Sequence, residues 1–201
     1  MVTFLSKDFL AYALLAYLSG SVCFGYLIAK LKKIDLSQIG SRSATSSNVA
    51  RGAGLRWGVA NAILDFAKSF FIVYGAQIFF SDPWQIIVLA ILPTIGHIFP
   101  IWFHFKGGKG GATFNGAVLA ILGLKFYLFI FLFFILIVLL TKKTSTANFV
   151  FPVLYLGCVW QLKMPLPYFV FGFAQWVLIS YGLRDNLRRL AKGEELTIPL
   201  K

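Results

Sequence analysis

Seven apolar runs, at 9–30, 57–80, 85–103, 112–124, 126–141, 147–162 and 166–183, take up most of the 201 residues, and the positive charge falls between them. A helix needs roughly 20 predominantly apolar residues to cross a bilayer's hydrocarbon core, and several of these runs meet or approach that length. With 59% hydrophobic and 13% charged residues and a mean hydropathy of +0.80, an ordinary soluble domain is excluded. The pattern predicts an all-α polytopic membrane protein, a single domain over 1–201 with about seven short transmembrane helices. The stretch 112–141 can also be drawn as one long helix, which leaves six spans.

Charge placement favours seven. With the N-terminus outside, the inside connections hold Lys30, Lys32, Lys33, Arg42, Arg51, Arg56, Lys106, Lys109, Lys142 and Lys143, and the C-terminal tail adds Arg184, Arg188, Arg189, Lys192 and Lys201. Only Lys7, Lys125 and Lys163 stay outside, a split of fifteen to three, with Lys68 inside a span. Short cytoplasmic loops carry such an excess of Lys and Arg. Six spans put the last two basic clusters on the wrong side. The first run is longer than the apolar core of a signal peptide and is expected to be a retained helix.

A net charge of +12 spread over interhelical loops points to anionic lipid head groups and phosphorylated molecules as partners, not to nucleic acid. Cys23 and Cys158 both lie in apolar runs and are expected to be small buried hydrophobes, with neither a disulfide nor a structural metal.

Five polar groups interrupt the apolar pattern. Gly96-His97-Ile98-Phe99-Pro100 leads into Phe105-Lys106-Gly107-Gly108-Lys109-Gly110, a glycine-rich loop whose low bulk lets backbone N–H groups approach a phosphate. Lys106 and Lys109 are its candidate phosphate ligands. Gly110 follows Lys109 where a nucleotide-binding P-loop has Ser or Thr, so nucleotide hydrolysis is disfavoured. His97 is either a general base or a hydrogen-bonded structural residue. The second group, residues 40–51, offers Ser41, Asn48 and Arg51, Arg being able to grip a phosphate with two N–H groups; the alternative is a solvated basic loop. In the third, Asn61, Asp65 and Lys68 share one helical face inside a span. Intramembrane charges face a partner or a wet cavity, so Asp65 and Lys68 either neutralise each other or orient the site from below. The fourth group, residues 142–148, contains Ser145 and reads equally as a helix cap with snorkelling lysines. The fifth runs from Leu183 past Asn186 to Leu190, then Gly193-Glu194, and could be no more than an amphipathic surface segment.

Order and spacing of these groups resemble the bacterial acyl-phosphate:glycerol-3-phosphate acyltransferases of the PlsY type, over nearly the whole chain from Gly20-Ser21 to Gly193-Glu194. The residues 96–100 and 105–110 look like the family's central motif. Leu64-Asp65 with Lys68 is similar to its Leu-Asp-x-x-Lys, and Arg184-Asp185-Asn186-Leu187 with Arg189-Leu190 to its C-terminal tail. In the first motif Gly40, Ser41, Asn48, Val49 and Arg51 match. Ser47 replaces Thr, and Arg42, Ser43 and Thr45 stand where Gly, Asn and Gly are usual. Ser145 matches the first serine of the third motif, Asn148 stands at the second, Leu183 replaces a common histidine, and Asp185 replaces Glu.

The resemblance implies transfer of a fatty acyl group from acyl-phosphate to the sn-1 hydroxyl of glycerol 3-phosphate, giving lysophosphatidic acid and phosphate at the inner membrane of a bacterium. It implies Lys109, Arg51, Ser145 and Asn48 as catalytic residues. Ser41, Lys106, Gly107, Gly108, Gly110, His97, Asn186, Asp65 and Lys68 are implied to bind substrate, in a pocket open to the cytoplasm. No metal or cofactor is expected, because acyl-phosphate is already activated, and the acceptor's proton can pass to a substrate phosphate oxygen. The acyl tail is expected in an aromatic-rich groove between helices. Two other classes remain: a non-catalytic paralogue binding acyl-phosphate or a lipid phosphate, suggested by residues 42–45, and a small-anion transporter, suggested by a basic intramembrane pocket. Repeated halves, common in such transporters, are not visible.

Overall fold

Every regular element among the described residues is helical, as the apolar pattern requires in a bilayer, where backbone groups must be satisfied within their own segment. The computed structural model describes residues 4 and 6–198; Lys201, counted above with the inside charges, lies outside them. Helix α1 (Lys7–Ser21) starts where the Ser6 side chain accepts from the Phe9 N–H at 3.2 Å. It ends at Val22, and α2 (Phe24–Lys32) resumes beyond Cys23. The single helix expected over 9–30 is therefore broken, although α1 and α2 together remain one candidate span.

The polar stretch 32–56 is not all loop either. It contains a 3-10 turn at Leu36–Gln38 and the short helix α3 (Ser46–Ala53). Gly54 at φ +96° then turns the chain into α4 (Leu55–Phe79), a conformation that side chains disfavour. Helix α5 (Pro83–Ile98) begins at Asp82, whose carboxylate accepts from Trp84 N–H. It packs backbone to backbone on α1. A Cβ at Gly20 would lie 2.3 Å from the Pro93 oxygen, and one at Gly96 2.2 Å from the Tyr17 oxygen. Small residues at the seam allow this approach.

Helix α6 (Gly111–Thr141) carries Gly123 at φ 72°, ψ 168°, a non-helical conformation that breaks it into two pieces. These pieces correspond to the runs 112–124 and 126–141. Helices α7 (Thr144–Gln161), α8 (Leu166–Gly182) and α9 (Arg184–Ala191) follow, the last helices among the described residues. Phe114 of α6, Phe151 and Tyr155 of α7 and Phe171 of α8 form the buried aromatic centre, with ring centroids 5.6–5.7 Å apart in tilted and edge-on pairs, a favoured geometry for aromatic packing. Outward-facing Phe71, Phe79, Leu132, Leu140 and Trp160 stay exposed.

Among the described residues four helices are long and apolar enough to cross a membrane: 7–32 counted through its break, α4, α5 with its 3-10 extension to Phe103, and α6. The pair α8 and α9, bent by 69° at Leu183, makes a fifth if it is one span.

Candidate active site

The connections before α3, α6, α7 and α9 meet on one face of the bundle and enclose a cavity of about 500 Å³. One end is lined by first-turn residues of three helices: Ser46 and Ser47 of α3, Gly111 and Ala112 of α6, and Thr144 and Ser145 of α7. The first N–H groups of a helix have no partner in their own helix, and its N-terminus carries partial positive charge. Three such ends pointing into one space make it suited to an anion. Away from them the lining turns apolar and aromatic, with Ile63 and Phe66 of α4 and Tyr127, Phe131 and Phe134 of α6 beyond the Gly123 break. One space thus offers a head for an anion and an arm for a hydrocarbon chain.

A second cavity, of about 620 Å³, is bordered by Ser41, Arg42, Lys106, Arg184, Asp185 and Arg189 among others. Among the described residues only Lys109 lines both spaces. Its Nζ donates to Asn186 Oδ1 of α9. Burial first, then repulsion from Arg189 and Arg51 against attraction from Glu195 and Asp185, pushes the Lys109 ammonium down to about 8. A buried cation paired mainly with a neutral amide is primed to gain from an arriving phosphate.

Behind Lys109 lies a group that sequence reasoning missed. Glu195, buried at 7% exposure, accepts on Oε1 from Ser145 Oγ at 2.9 Å and from Asn186 Nδ2, and on Oε2 from Arg189 Nε at 2.9 Å. The chain around it is tied down at two points. Arg51 Nη2 donates to the Thr197 oxygen, and Ile198 N–H to the Lys142 oxygen, both at 2.9 Å. Arg189 Nη2 is buried without a hydrogen-bond partner among the described residues. The sequence signal was Gly193-Glu194, one residue short of the carboxylate that matters.

Below the cavity, Lys68 Nζ contacts Asp65 Oδ1 at 2.8 Å and His97 Nδ1 at 3.1 Å. It also donates to the Gly20 and Val22 oxygens at 3.0 and 2.6 Å, the carbonyls freed by the break between α1 and α2. The two charges are paired, and Asp65 and His97 also line the cavity. An ammonium has only protons to offer, so His97 Nδ1 is an acceptor held by Lys68, and the His97 oxygen receives the Gly108 N–H at 2.9 Å. This geometry favours the structural alternative for His97 over the general base.

Several expected site residues are placed otherwise. Asn48 is turned inward: Oδ1 accepts from Ser41 N–H at 3.0 Å, and Nδ2 donates to the Leu36 and Ser43 oxygens. With its amide engaged inside the loop, it shapes the site without facing it. Ser41 Oγ sits 2.9 Å from Ser43 Oγ at the second cavity. Gly107 and Gly108 do not cradle an anion with free N–H groups, because these donate to the Ile98 and His97 oxygens at 3.3 and 2.9 Å. What Gly108 supplies is clearance, a Cβ there lying 2.1 Å from His97 Nε2. Gly110, at φ +83°, starts α6. Ser145, implied as catalytic, donates its hydroxyl hydrogen bond to Glu195 instead. Arg51 lies against Gly40 and borders neither space, while Lys106 is exposed at the polar one. Leu183 is buried at the bend before α9, lining the first cavity, so the side chain at this position cannot itself take up or release a proton.

Helical spans around a largely apolar cavity that meets a basic, polar one at a single lysine define an integral membrane protein with one space suited to a hydrocarbon chain and another suited to an anion. The sequence profile of the family "Glycerol-3-phosphate acyltransferase" matches residues 10–193, and the chain belongs to that family. Relatives include the glycerol-3-phosphate acyltransferases of Aquifex aeolicus, 35% identical over 90% of this chain and 94% of that one, and of Mycoplasmopsis pulmonis, 31% identical over 94% and 92%. Among solved structures, PlsY, an integral membrane glycerol 3-phosphate acyltransferase, superimposes in its glycerol 3-phosphate form with a TM-score of 0.91 at 34% identity, covering 96% of both chains. Its lysophosphatidic acid form gives a TM-score of 0.88 at 33% identity over the same share.

Proposed function

We propose that the protein is a glycerol-3-phosphate acyltransferase that takes its acyl group from acyl-phosphate and esterifies the sn-1 hydroxyl, releasing lysophosphatidic acid and inorganic phosphate. The observation that carries this is the pair of unlike cavities joined at Lys109. A donor with a long tail and an anionic head suits the first. A small, soluble phosphate ester suits the second, among Arg42, Lys106, Arg184 and Arg189. Kinship with PlsY, solved in glycerol 3-phosphate and lysophosphatidic acid forms, supports the same acceptor and product.

Acyl-phosphate is a mixed anhydride, so the acceptor oxygen attacks the carbonyl carbon directly and the bond from that carbon to the phosphate oxygen breaks. The hydroxyl proton leaves on a phosphate oxygen of the substrates. Lys109 and the three helix ends disperse charge on the departing phosphate, a form of stabilisation that grows as the bond breaks. Much of the remaining rate comes from holding two substrates in line. Arg51, Arg189 and Lys106 add to the positive field that retains the acceptor.

The protein sits in the inner membrane of a bacterium as a single domain of seven spans with the site facing the cytoplasm. The fifteen-to-three charge split and the Gly123 break in α6 support this count. The test is phosphate release by purified protein in lipid with palmitoyl-phosphate and glycerol 3-phosphate, with Lys109→Ala as control. Release that requires both substrates, yields lysophosphatidic acid and is lost in the control is expected. Acyl-phosphate binding without turnover would instead favour a non-catalytic paralogue.

A further inference from the structure

The described residues after α9, as far as Ile198, form no helix, yet they deliver a carboxylate to the middle of the site. We propose that Glu195 is a positioning residue for the transfer reaction: while holding Ser145, Asn186 and Arg189 at once, it fixes the Asn186 amide that aims Lys109 at the junction of the two cavities. This rests on the acyltransferase reading above.

The argument starts from the Asn186 amide. An amide can present its oxygen or its nitrogen to a neighbour. Its Nδ2 donates to Glu195 Oε1, and that leaves Oδ1 for Lys109 Nζ. A carboxylate can only accept, so Glu195 dictates which way the amide points. A neutral glutamine in its place could offer a donor, and both the amide and the lysine would lose their single arrangement. The same oxygen accepts the Ser145 hydroxyl's hydrogen bond, which turns that hydroxyl's lone pairs away from the carboxylate. The other oxygen takes Arg189 Nε and anchors the guanidinium whose Nη2 is without a partner among the described residues.

The segment itself is clamped so that the carboxylate cannot drift. Arg51 of α3 holds the Thr197 carbonyl, and Lys142 between α6 and α7 holds the Ile198 N–H. Ser145 at the start of α7 and Asn186 and Arg189 of α9 thus hold the acid itself, while α3 and the α6–α7 connection hold the backbone that carries it. Charge works in the same direction. Arg51 of α3 and Arg189 of α9 repel the Lys109 ammonium, while Asp185 of α9 and Glu195 attract it. Asp65 of α4 and His97 of α5 border the same cavity. Of the two acids on the C-terminal side, Asp185 is exposed to solvent and Glu195 is buried, so Glu195 is the less screened.

Two variants separate its charge from its reach. Glu195→Gln keeps the length and removes the charge; Glu195→Asp keeps the charge and withdraws it by one methylene. Both are assayed in lipid with palmitoyl-phosphate and glycerol 3-phosphate from pH 6 to 10, beside the wild type and with thermal unfolding measured on each. A loss of roughly a hundred-fold in kcat is expected for both, the order of effect seen when a reacting group is misplaced by about 1 Å. The alkaline limb of the pH profile should move to lower pH in Glu195→Gln and stay in place in Glu195→Asp. A folded Glu195→Gln protein with wild-type kcat and an unmoved limb would overturn the proposal and reduce Glu195 to a structural anchor. If that variant does not fold, Glu195→Asp decides, and wild-type kcat there is equally fatal. Absence of turnover in the wild type would instead sink the acyltransferase reading, and is seen separately.

Discussion

Replacing Gly108 by alanine is expected to disable the site without touching any charged group. The added Cβ would lie 2.1 Å from His97 Nε2, with two further ring atoms at 2.8 and 2.9 Å. To open from 2.1 Å to the 3.4 Å of an ordinary van der Waals contact the atoms must part by about 1.3 Å. His97 has little room to retreat: it is 3% exposed, and its Nδ1 is held by Lys68. The loop moves instead, carrying Lys109 on the adjoining peptide. Overpacking of this kind costs about 1–3 kcal/mol of stability. A displacement of about 1 Å at a reacting group costs on the order of a hundred-fold in rate. Steady-state phosphate release in lipid should therefore show kcat/KM reduced by about two orders of magnitude, with the thermal midpoint lowered but unfolding still cooperative. Full activity in Gly108→Ala would refute the argument that this glycine exists to seat the loop against the histidine.

Further outcomes follow from the same geometry. Lys109 at about 8, below the 10.5 of a free lysine, is charged below pH 8 and loses its proton above it; KM for the phosphorylated substrates should rise by up to about tenfold per pH unit beyond 8. Stability runs the other way for this group, because between about 8 and 10.5 the unfolded chain binds more protons than the folded one, so chemical denaturation should show its contribution improving with pH across that window. Lys68→Met leaves Asp65 unpaired and strips the Gly20 and Val22 oxygens of their donor, which should cost about 3–5 kcal/mol; thermal unfolding in detergent tests this, and adding Asp65→Asn should recover part of the loss. Phe131→Ala removes one wall of the apolar arm; a loss of about 1–2 kcal/mol of burial should raise KM for palmitoyl-phosphate about five- to thirty-fold while leaving KM for glycerol 3-phosphate unchanged.

The helices were legible because apolar runs of membrane length admit little else, and Gly123 falls within two residues of the gap between two of those runs. The break at Val22 and Cys23 was not. No proline marks it, and the groups that compensate it come from Lys68, more than forty residues on. Lys109 and Asn186 stood out as polar residues at span mouths, and they do meet. Asn48 misled for the opposite reason: a side chain that hydrogen-bonds its own loop looks, in sequence, like one that bonds a ligand. Glu195 was passed over for its neighbour Glu194, because an acid in a short basic tail has no periodicity to betray that it is buried; only the closure of Ser145, Asn186 and Arg189 around it reveals that.

The Lys68 ammonium also bears on how the protein is made. A chain delivered to the bilayer from its N-terminus presents the first span before α4 exists. Until Lys68 arrives, the interrupted helix holds two carbonyls in hydrocarbon with no donor, each costing several kcal/mol. The break can become permanent only once α4 lies beside it, so the bent form of the first span is a product of assembly, and α4 acts as the chaperone of its own predecessor.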